Sequence, residues 1–101
     1  MRELDGISSM AELRAEIDAL DARLVAGLAA RARLIDRAIA LKPAEGLPAR
    51  IDARVEDVVA KVRARAMAEG LEADLVETLW RQIIDWSIKR EEAVLGKGEG
   101  A

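Results

Sequence analysis

The residues of this chain that could do chemistry are cations set into an apolar helical pattern. Continuing the heptad from Leu24 places Arg31 where the pattern expects leucine or isoleucine. Lys42 follows eleven residues later, close to three helical turns, so both side chains point to roughly the same side. Arginine binds a carboxylate through two parallel hydrogen bonds. A pocket holding such cations would suit a small ligand with two carboxylates.

Four more polar residues belong to this candidate set. Arg54 lies near the start of a second helical segment, and Ser87 and Glu91 stand four apart along the apolar stripe of a third. Arg14 precedes Arg31 by seventeen residues, which is about 25 Å along a helix. One small substrate could therefore contact both of these arginines only across a dimer.

Each of the six also has an ordinary structural explanation. An arginine in an apolar seam commonly extends its head to solvent. Lys42, at a helix C-terminus, could simply interact with the helix dipole. The remaining four could be surface or packing residues: Arg14, Arg54, Ser87 and Glu91.

Composition excludes several kinds of chemistry. The chain has no cysteine and no histidine, so it lacks disulfides, thiol nucleophiles, Ser-His triads and the commonest metal ligand. We expect neither metal nor cofactor. Sixteen basic and nineteen acidic side chains leave a net charge of −3, which offers no footprint for nucleic acid or an anionic membrane. No apolar run has the length of a membrane span or a signal sequence, so we expect a cytoplasmic protein.

The periodicity predicts three helices and no strand. The first runs from about Ser8 or Ser9 to about Leu41, capped by Ser9 with Glu12, and ends before Pro43. The second and third are expected at about 49–68 and 73–94, with Gly70 as the stop between them. Residues 1–95 would form one domain, and the glycine-rich stretch 96–101 a flexible tail. The predicted apolar positions of these two helices are Ile51, Val55, Val58, Val59 and Val62, then Val76, Leu79, Trp80, Ile83, Ile84 and Ile88.

The length of the first helix favours a dimer. Its seam is apolar at Leu13, Ile17, Leu20 and Leu24, and its own chain is too short to cover it. Two copies packing their long helices together would bury the seam. We therefore predict an all-α fold, with three helices per chain and one long N-terminal helix, that assembles as a homodimer.

These residues together resemble the all-helical chorismate mutase family over nearly the whole chain. The resemblance rests on the phrase Leu13-Arg14-x-x-Ile17-Asp18-x-x-Asp21 and on spaced single residues. Those residues are Arg31, Lys42, Pro48, Arg54, Gly70-Leu71 and Ile83-Ile84-x-x-Ser87-x-x-x-Glu91.

The resemblance implies an intertwined homodimer that rearranges chorismate to prephenate in aromatic amino acid biosynthesis, without metal or cofactor. Arg14 would reach across the interface into the partner's site. With Arg31 and Arg54 it would hold the substrate carboxylates, and Ser87 would complete the substrate contacts. Lys42 and Glu91 would flank the ether oxygen, where negative charge grows as its bond to carbon breaks.

Three departures from the common bacterial pattern bear on this expectation. Glu91 stands where glutamine is common, and it could donate a hydrogen bond only when protonated. We therefore expect activity to fall as pH rises. Ile51 and Val55 replace acids near the ring hydroxyl. Arg54-Val55 and Ile83-Ile84-Asp85-Trp86 also resemble the isochorismate pyruvate lyase branch, which forms salicylate and pyruvate.

A non-enzymatic helical dimer, such as an adaptor, remains the alternative of a different class. It predicts that Arg31, Lys42 and Arg54 are exposed, scattered and individually dispensable. The enzyme interpretation predicts that they converge on one enclosed pocket.

Overall fold

The computed structural model describes residues 3–97, which form helices and turns without a strand. In chain order these are a 3-10 turn at Leu4–Gly6, helix α1 at Met10–Leu41, a 3-10 turn at Pro43–Glu45, helix α2 at Asp52–Ala68 and helix α3 at Ala73–Leu95. The all-helical prediction with three helices is confirmed. Residues 98–101 of the predicted tail lie outside the described part. The chain divides into two units, one up to Leu34 and one from Ile35 onward.

The first unit begins with the predicted cap of α1. The backbone N–H of Glu12 donates to Ser9 Oγ at 3.1 Å, and the Glu12 carboxylate accepts from the backbone N–H of Ser8 at 2.9 Å. These bonds satisfy donors that a helix start otherwise leaves unpaired. From there α1 runs through Gly27 without a break, over 32 residues and about 48 Å, and none of its residues is buried.

In the second unit, α1 ends at Leu41, as Pro43 predicts, but Lys42 keeps helical dihedral angles. The Lys42 N–H still donates to Ala38, and the Lys42 carbonyl accepts from Glu45 and Leu47. Gly46, with φ of 69°, then reverses the chain in a conformation that only glycine adopts without strain. The loop therefore folds back over Lys42.

Helix α2 begins later than predicted. The sequence indicated a start at about Ala49, whereas the structure starts the helix at Asp52 and leaves Ile51 extended as its N-cap residue. The Ala49 carbonyl lies before this start and accepts a hydrogen bond from the Lys42 ammonium group. At the other end α2 stops at Ala68, and Gly70 with φ of 75° confirms the predicted break.

The core lies between α2 and α3. Two buried clusters run along this contact, and Val58 and Trp80 pack against both: Val55, Val59, Ile84 and Ile88, then Val62, Ala66 and Val76. Leu79, predicted on the apolar stripe, is exposed, and its place facing α2 is taken by its neighbours Val76 and Trp80.

Charged side chains along the outside of the same helices add a second connection. Arg81 donates to both carboxylate oxygens of Glu56, at 2.9 and 3.1 Å, and to Glu77 at 2.7 Å. Arg63 donates to Glu77 and to Asp74. Hydrogen bonds from Arg81 first, and from Arg63, hold the pKa of the Glu77 carboxyl below its ordinary 4.5. This network connects α2 to α3 along their outer surface.

Candidate active site

A buried ion pair joins the end of α1 to α3. Lys42 Nζ donates to Glu91 Oε1 at 2.6 Å, and the exposed fractions of the two side chains are 17% and 5%. Glu91 belongs to a charged run in the sequence, yet the structure places it on the inner face of α3. Burying two charges is unfavourable unless they are paired and hydrogen-bonded, and this pair meets both conditions.

The loop after α1 fixes the ammonium group from a second side. Lys42 Nζ donates to the Ala49 carbonyl at 2.7 Å, and Ala49 itself is buried. An ammonium group has three N–H donors, and the bonds to Glu91 and Ala49 use two of them. The backbone of Lys42 is held by the same loop through its own carbonyl. Lys42 is therefore a positioned cation with a donor for a further acceptor.

Ser87 lies one helical turn before Glu91 on the buried face of α3. Its hydroxyl donates to the Ile83 carbonyl at 2.9 Å, inside the helix. Residues four apart share one side of a helix, so Ser87 and Glu91 face the same way. The structure thus brings three of the predicted site residues together: Lys42, Ser87 and Glu91.

Arg54 is placed differently. It lies in the first turn of α2 with 62% of its side chain exposed, and it donates to Asp57 one turn later at 2.7 Å. Lys61 donates to the same carboxylate at 3.0 Å. Hydrogen bonds from Lys61 and then from Arg54 hold the pKa of Asp57 below its ordinary value. An exposed pair of this spacing is weak, so Arg54 can exchange Asp57 for a ligand carboxylate at little cost.

The other two predicted arginines belong to the first unit. Arg14 is exposed in the second turn of α1, and Arg31 is half-buried near the end of that unit. Both are carried by one continuous helix that buries none of its residues.

The two positions that depart from the common pattern are apolar in their setting as well. Val55 is buried against Val59, Ile84 and Ile88, and Ile51 is half-buried at the start of α2. A buried valine cannot recognise a hydroxyl group by hydrogen bonding. The side chain of Val55 therefore offers a ligand apolar contact only.

Sequence reasoning missed four residues beside the buried pair. One is Ala49, which acts through its carbonyl. The others are Asp36, Trp86 and Arg90: Arg90 donates to both oxygens of Asp36 and lies over the Trp86 ring. The four-residue spacing of Trp86 and Arg90 on one helix was a usable signal. The bond from Lys42 to the Ala49 carbonyl depends on the path of the loop, which no local sequence pattern predicts.

This arrangement can stabilise a negative charge without transferring a proton. A fixed ammonium group offers a donor in a partly enclosed setting, where electrostatic interactions are stronger than in water. Among residues 3–97 no group of acidic side chains has the makings of a metal site. Within the same range, no helix is both long and apolar enough to span a membrane.

The family model described as chorismate mutase type II matches residues 13–92, which is most of the chain. No curated protein sequence matches the chain. The matched range includes the buried pair, Ser87 and all three arginines of the predicted site.

Proposed function

The chain belongs to the chorismate mutase type II family, and on that premise we propose that it is an isomerase converting chorismate to prephenate. In this reaction one carbon–oxygen bond of the substrate breaks as one carbon–carbon bond forms, and no proton or cofactor takes part. The protein has only to hold a reactive conformation and to stabilise the charge that develops. The observation that carries the proposal is the buried contact of Lys42 with Glu91 and the Ala49 carbonyl.

Lys42 is the proposed electrostatic catalyst. Its bonds to Glu91 and Ala49 orient the ammonium group, and its third donor would meet the ether oxygen as the bond to carbon breaks. A donor already in position costs no reorganisation in the transition state, and one such donor is commonly worth about 100- to 1,000-fold in rate.

Glu91 is the second proposed contact of the ether oxygen. It bonds Lys42 through Oε1 and so holds the ammonium group toward the ether oxygen. Ser87, one turn earlier on the same buried face, would contact the substrate beside it.

Three arginines would hold the substrate carboxylates. Arg54 would release Asp57, and Lys61 would remain to neutralise that carboxylate. Arg31 and the partner's Arg14 would complete the set. Arginine suits this work because its planar fork matches a carboxylate.

The site requires an intertwined homodimer. Helix α1 buries none of its residues, and its apolar seam is exposed at Ile17, Leu20, Leu24 and Leu28. A continuous apolar surface of this kind marks an interface. A second copy is the proposed occupant, since the seam can pack against itself about a two-fold axis. A cytoplasmic location belongs to the same proposal.

Isochorismate pyruvate lyase is the second candidate. The observation that favours it is the apolar setting of Val55 and Ile51, where mutases commonly place acids near the ring hydroxyl. Chorismate and isochorismate differ mainly in the position of that hydroxyl. A non-enzymatic dimer is the weaker alternative, because it expects an exposed and dispensable Lys42, whereas only 17% of that side chain is exposed.

The decisive experiment supplies each substrate separately. Purified protein is incubated with chorismate or with isochorismate, and the products are identified by chromatography. Prephenate formed from chorismate supports the mutase, and salicylate with pyruvate formed from isochorismate supports the lyase. If neither substrate is converted, the non-enzymatic helical dimer is the remaining candidate. Lys42→Met should abolish turnover. Lys89→Met is the matched control, because Lys89 is an exposed lysine on α3 that pairs with Asp85.

A further inference from the structure

A second ion pair joins α1 to α3 beside the buried one. Arg90 Nε donates to Asp36 Oδ1 at 2.6 Å, and Arg90 Nη2 donates to Asp36 Oδ2 at 3.0 Å. Arg90 is the neighbour of Glu91 on α3, and Asp36 precedes Lys42 by six residues. The two pairs therefore connect the same two segments, one inside and one at the surface.

The geometry of the surface pair restricts the orientation of its two side chains. Two parallel bonds between a guanidinium and a carboxylate fix an angle as well as a distance. The Arg90 guanidinium also lies 5.2 Å from the centre of the Trp86 ring, one turn earlier on α3, in a cation–π contact. The ring restricts the rotamers of Arg90, so less freedom is lost when it binds Asp36.

Apolar packing gives this end of α1 little support. No residue of α1 is buried, and its last turns contribute only half-buried positions such as Ile35, Ala38 and Ile39. Apolar contacts of this kind are non-directional. The bonds between Asp36 and Arg90 therefore add a direction that this apolar packing does not provide.

Building on the proposed function, we propose that Asp36, Arg90 and Trp86 form a clamp that positions Lys42 for catalysis. None of the three is a catalytic residue, because they act through the helix that carries the ammonium group. Loosening the clamp should misplace that group by a fraction of an ångström. A displacement of about 1 Å can cost about 100-fold in rate, so a partial loss of about tenfold is expected.

The test compares two arginine–carboxylate pairs that each form two parallel hydrogen bonds. Asp36→Asn removes the negative charge and one of the two acceptors from the clamp. Glu56→Gln does the same to the Arg81 pair, which joins α2 to α3, and Arg81 and Arg90 side chains are equally exposed at 43%. Prephenate formation should show kcat reduced about tenfold in Asp36→Asn with KM changed less than about twofold, since the lost interaction acts in the transition state. Glu56→Gln should keep both constants.

Further variants separate positioning from a loss of folding. Arg90→Gln should reproduce the effect from the other side, and Asp36→Glu should recover most of kcat because it restores the charge and the fork. Circular dichroism and thermal unfolding verify that each variant is folded. Equal losses of kcat in Asp36→Asn and Glu56→Gln, or an unchanged kcat in Asp36→Asn and Arg90→Gln, would overturn the clamp.

A readout independent of activity distinguishes failure of the clamp from failure of the proposed function. The ammonium signal of Lys42 in a proton–nitrogen correlation spectrum is assigned by its disappearance in Lys42→Met. It should shift and broaden in Asp36→Asn and stay in place in Glu56→Gln. A wild-type protein that leaves chorismate unchanged would refute the mutase, and an unmoved ammonium signal in Asp36→Asn would refute the clamp in either case.

Discussion

Helix α1 and the α2–α3 pair differ in where their apolar side chains go. The pair buries valines and isoleucines in two clusters along its contact, and Val59 retains only 4% of its exposure. Along α1 the large apolar side chains remain exposed, and Leu24 is 60% accessible. The pair is complete as a packing unit, whereas α1 has an apolar face that no residue of its own unit buries.

This difference assigns different tasks to the two regions. The α2–α3 pair is a scaffold that carries Ser87 and Glu91 on a rigid face. In the proposed dimer, helix α1 is the assembly element, and Lys42, directly after its last residue, contacts Glu91 on that face. Changes in the apolar seam of α1 should therefore act on assembly and turnover together, while changes in the apolar core between α2 and α3 should act on stability alone.

The largest effect is expected from a charge in the α1 seam. Leu20→Glu should give a monomer with turnover reduced by at least about 1,000-fold, because the interface and the partner's arginine are lost together. Val59→Ala is the control: it should lower the free energy of unfolding by about 2 kcal/mol and keep the dimer. Sedimentation and chemical denaturation measure the two outcomes. A dimeric, active Leu20→Glu variant would remove the distinction between the two regions.

A smaller effect is expected from Arg31→Ala, which changes α1 but keeps its apolar seam. Turnover of chorismate should fall by about 100- to 1,000-fold, because a charge-assisted contact to the substrate is lost. The dimer should remain intact in sedimentation. Full activity in a dimeric variant would show that Arg31 has no part in the site.

A change at the meeting point of the two regions should be smaller again. Glu91→Gln keeps an acceptor for Lys42 and adds an amide donor. Turnover of chorismate should therefore change by less than about tenfold, because a neutral hydrogen bond replaces a charged one. Rates of prephenate formation by both proteins test it. A loss as large as the one expected for Arg31→Ala would show that the carboxylate charge of Glu91 is required.

The smallest effect concerns the surface charges of the scaffold. Hydrogen bonds from arginines, chiefly Arg81, lower the pKa values of Glu56 and Glu77 below the ordinary 4.5. A group with a lowered pKa in the folded state stabilises the fold above its unfolded pKa, and loses that contribution as pH falls. Melting temperatures should therefore decline below about pH 4.5. Glu56→Gln should reduce the decline by a degree or two at most, in proportion to a weak exposed pair.

The helices could be predicted from the sequence because their signals are local. Ser9 with Glu12, Pro43 and Gly70 are caps and stops whose effect depends on a few neighbouring residues. The start of α2 was missed because its N-cap residue, Ile51, makes no side-chain capping hydrogen bond that the sequence could signal. Leu79 is exposed although it lies on the predicted apolar stripe, because one partner helix covers only part of the width of that stripe.

The candidate site was predictable only in part, because its contacts join residues that are far apart in the sequence. Lys42 and Glu91 stand 49 residues apart, so their contact requires the packing of α3 against the end of α1. The family pattern indicated both residues, whereas their pairing with Ala49 came from the structure alone. Asp36 and Arg90, 54 residues apart, carry no family signal and were found only through their contact.

The proposed active site is shared between two chains, and a mixture of two inactive variants tests this proposal. Arg14→Ala and Arg31→Ala should each be inactive, but a mixed dimer has one site that receives an intact Arg14 from one chain and an intact Arg31 from the other. Random reassembly of equal amounts makes half of the dimers mixed, so activity should return to about a quarter of the wild-type value per site. A mixture no more active than its two components would contradict the shared site.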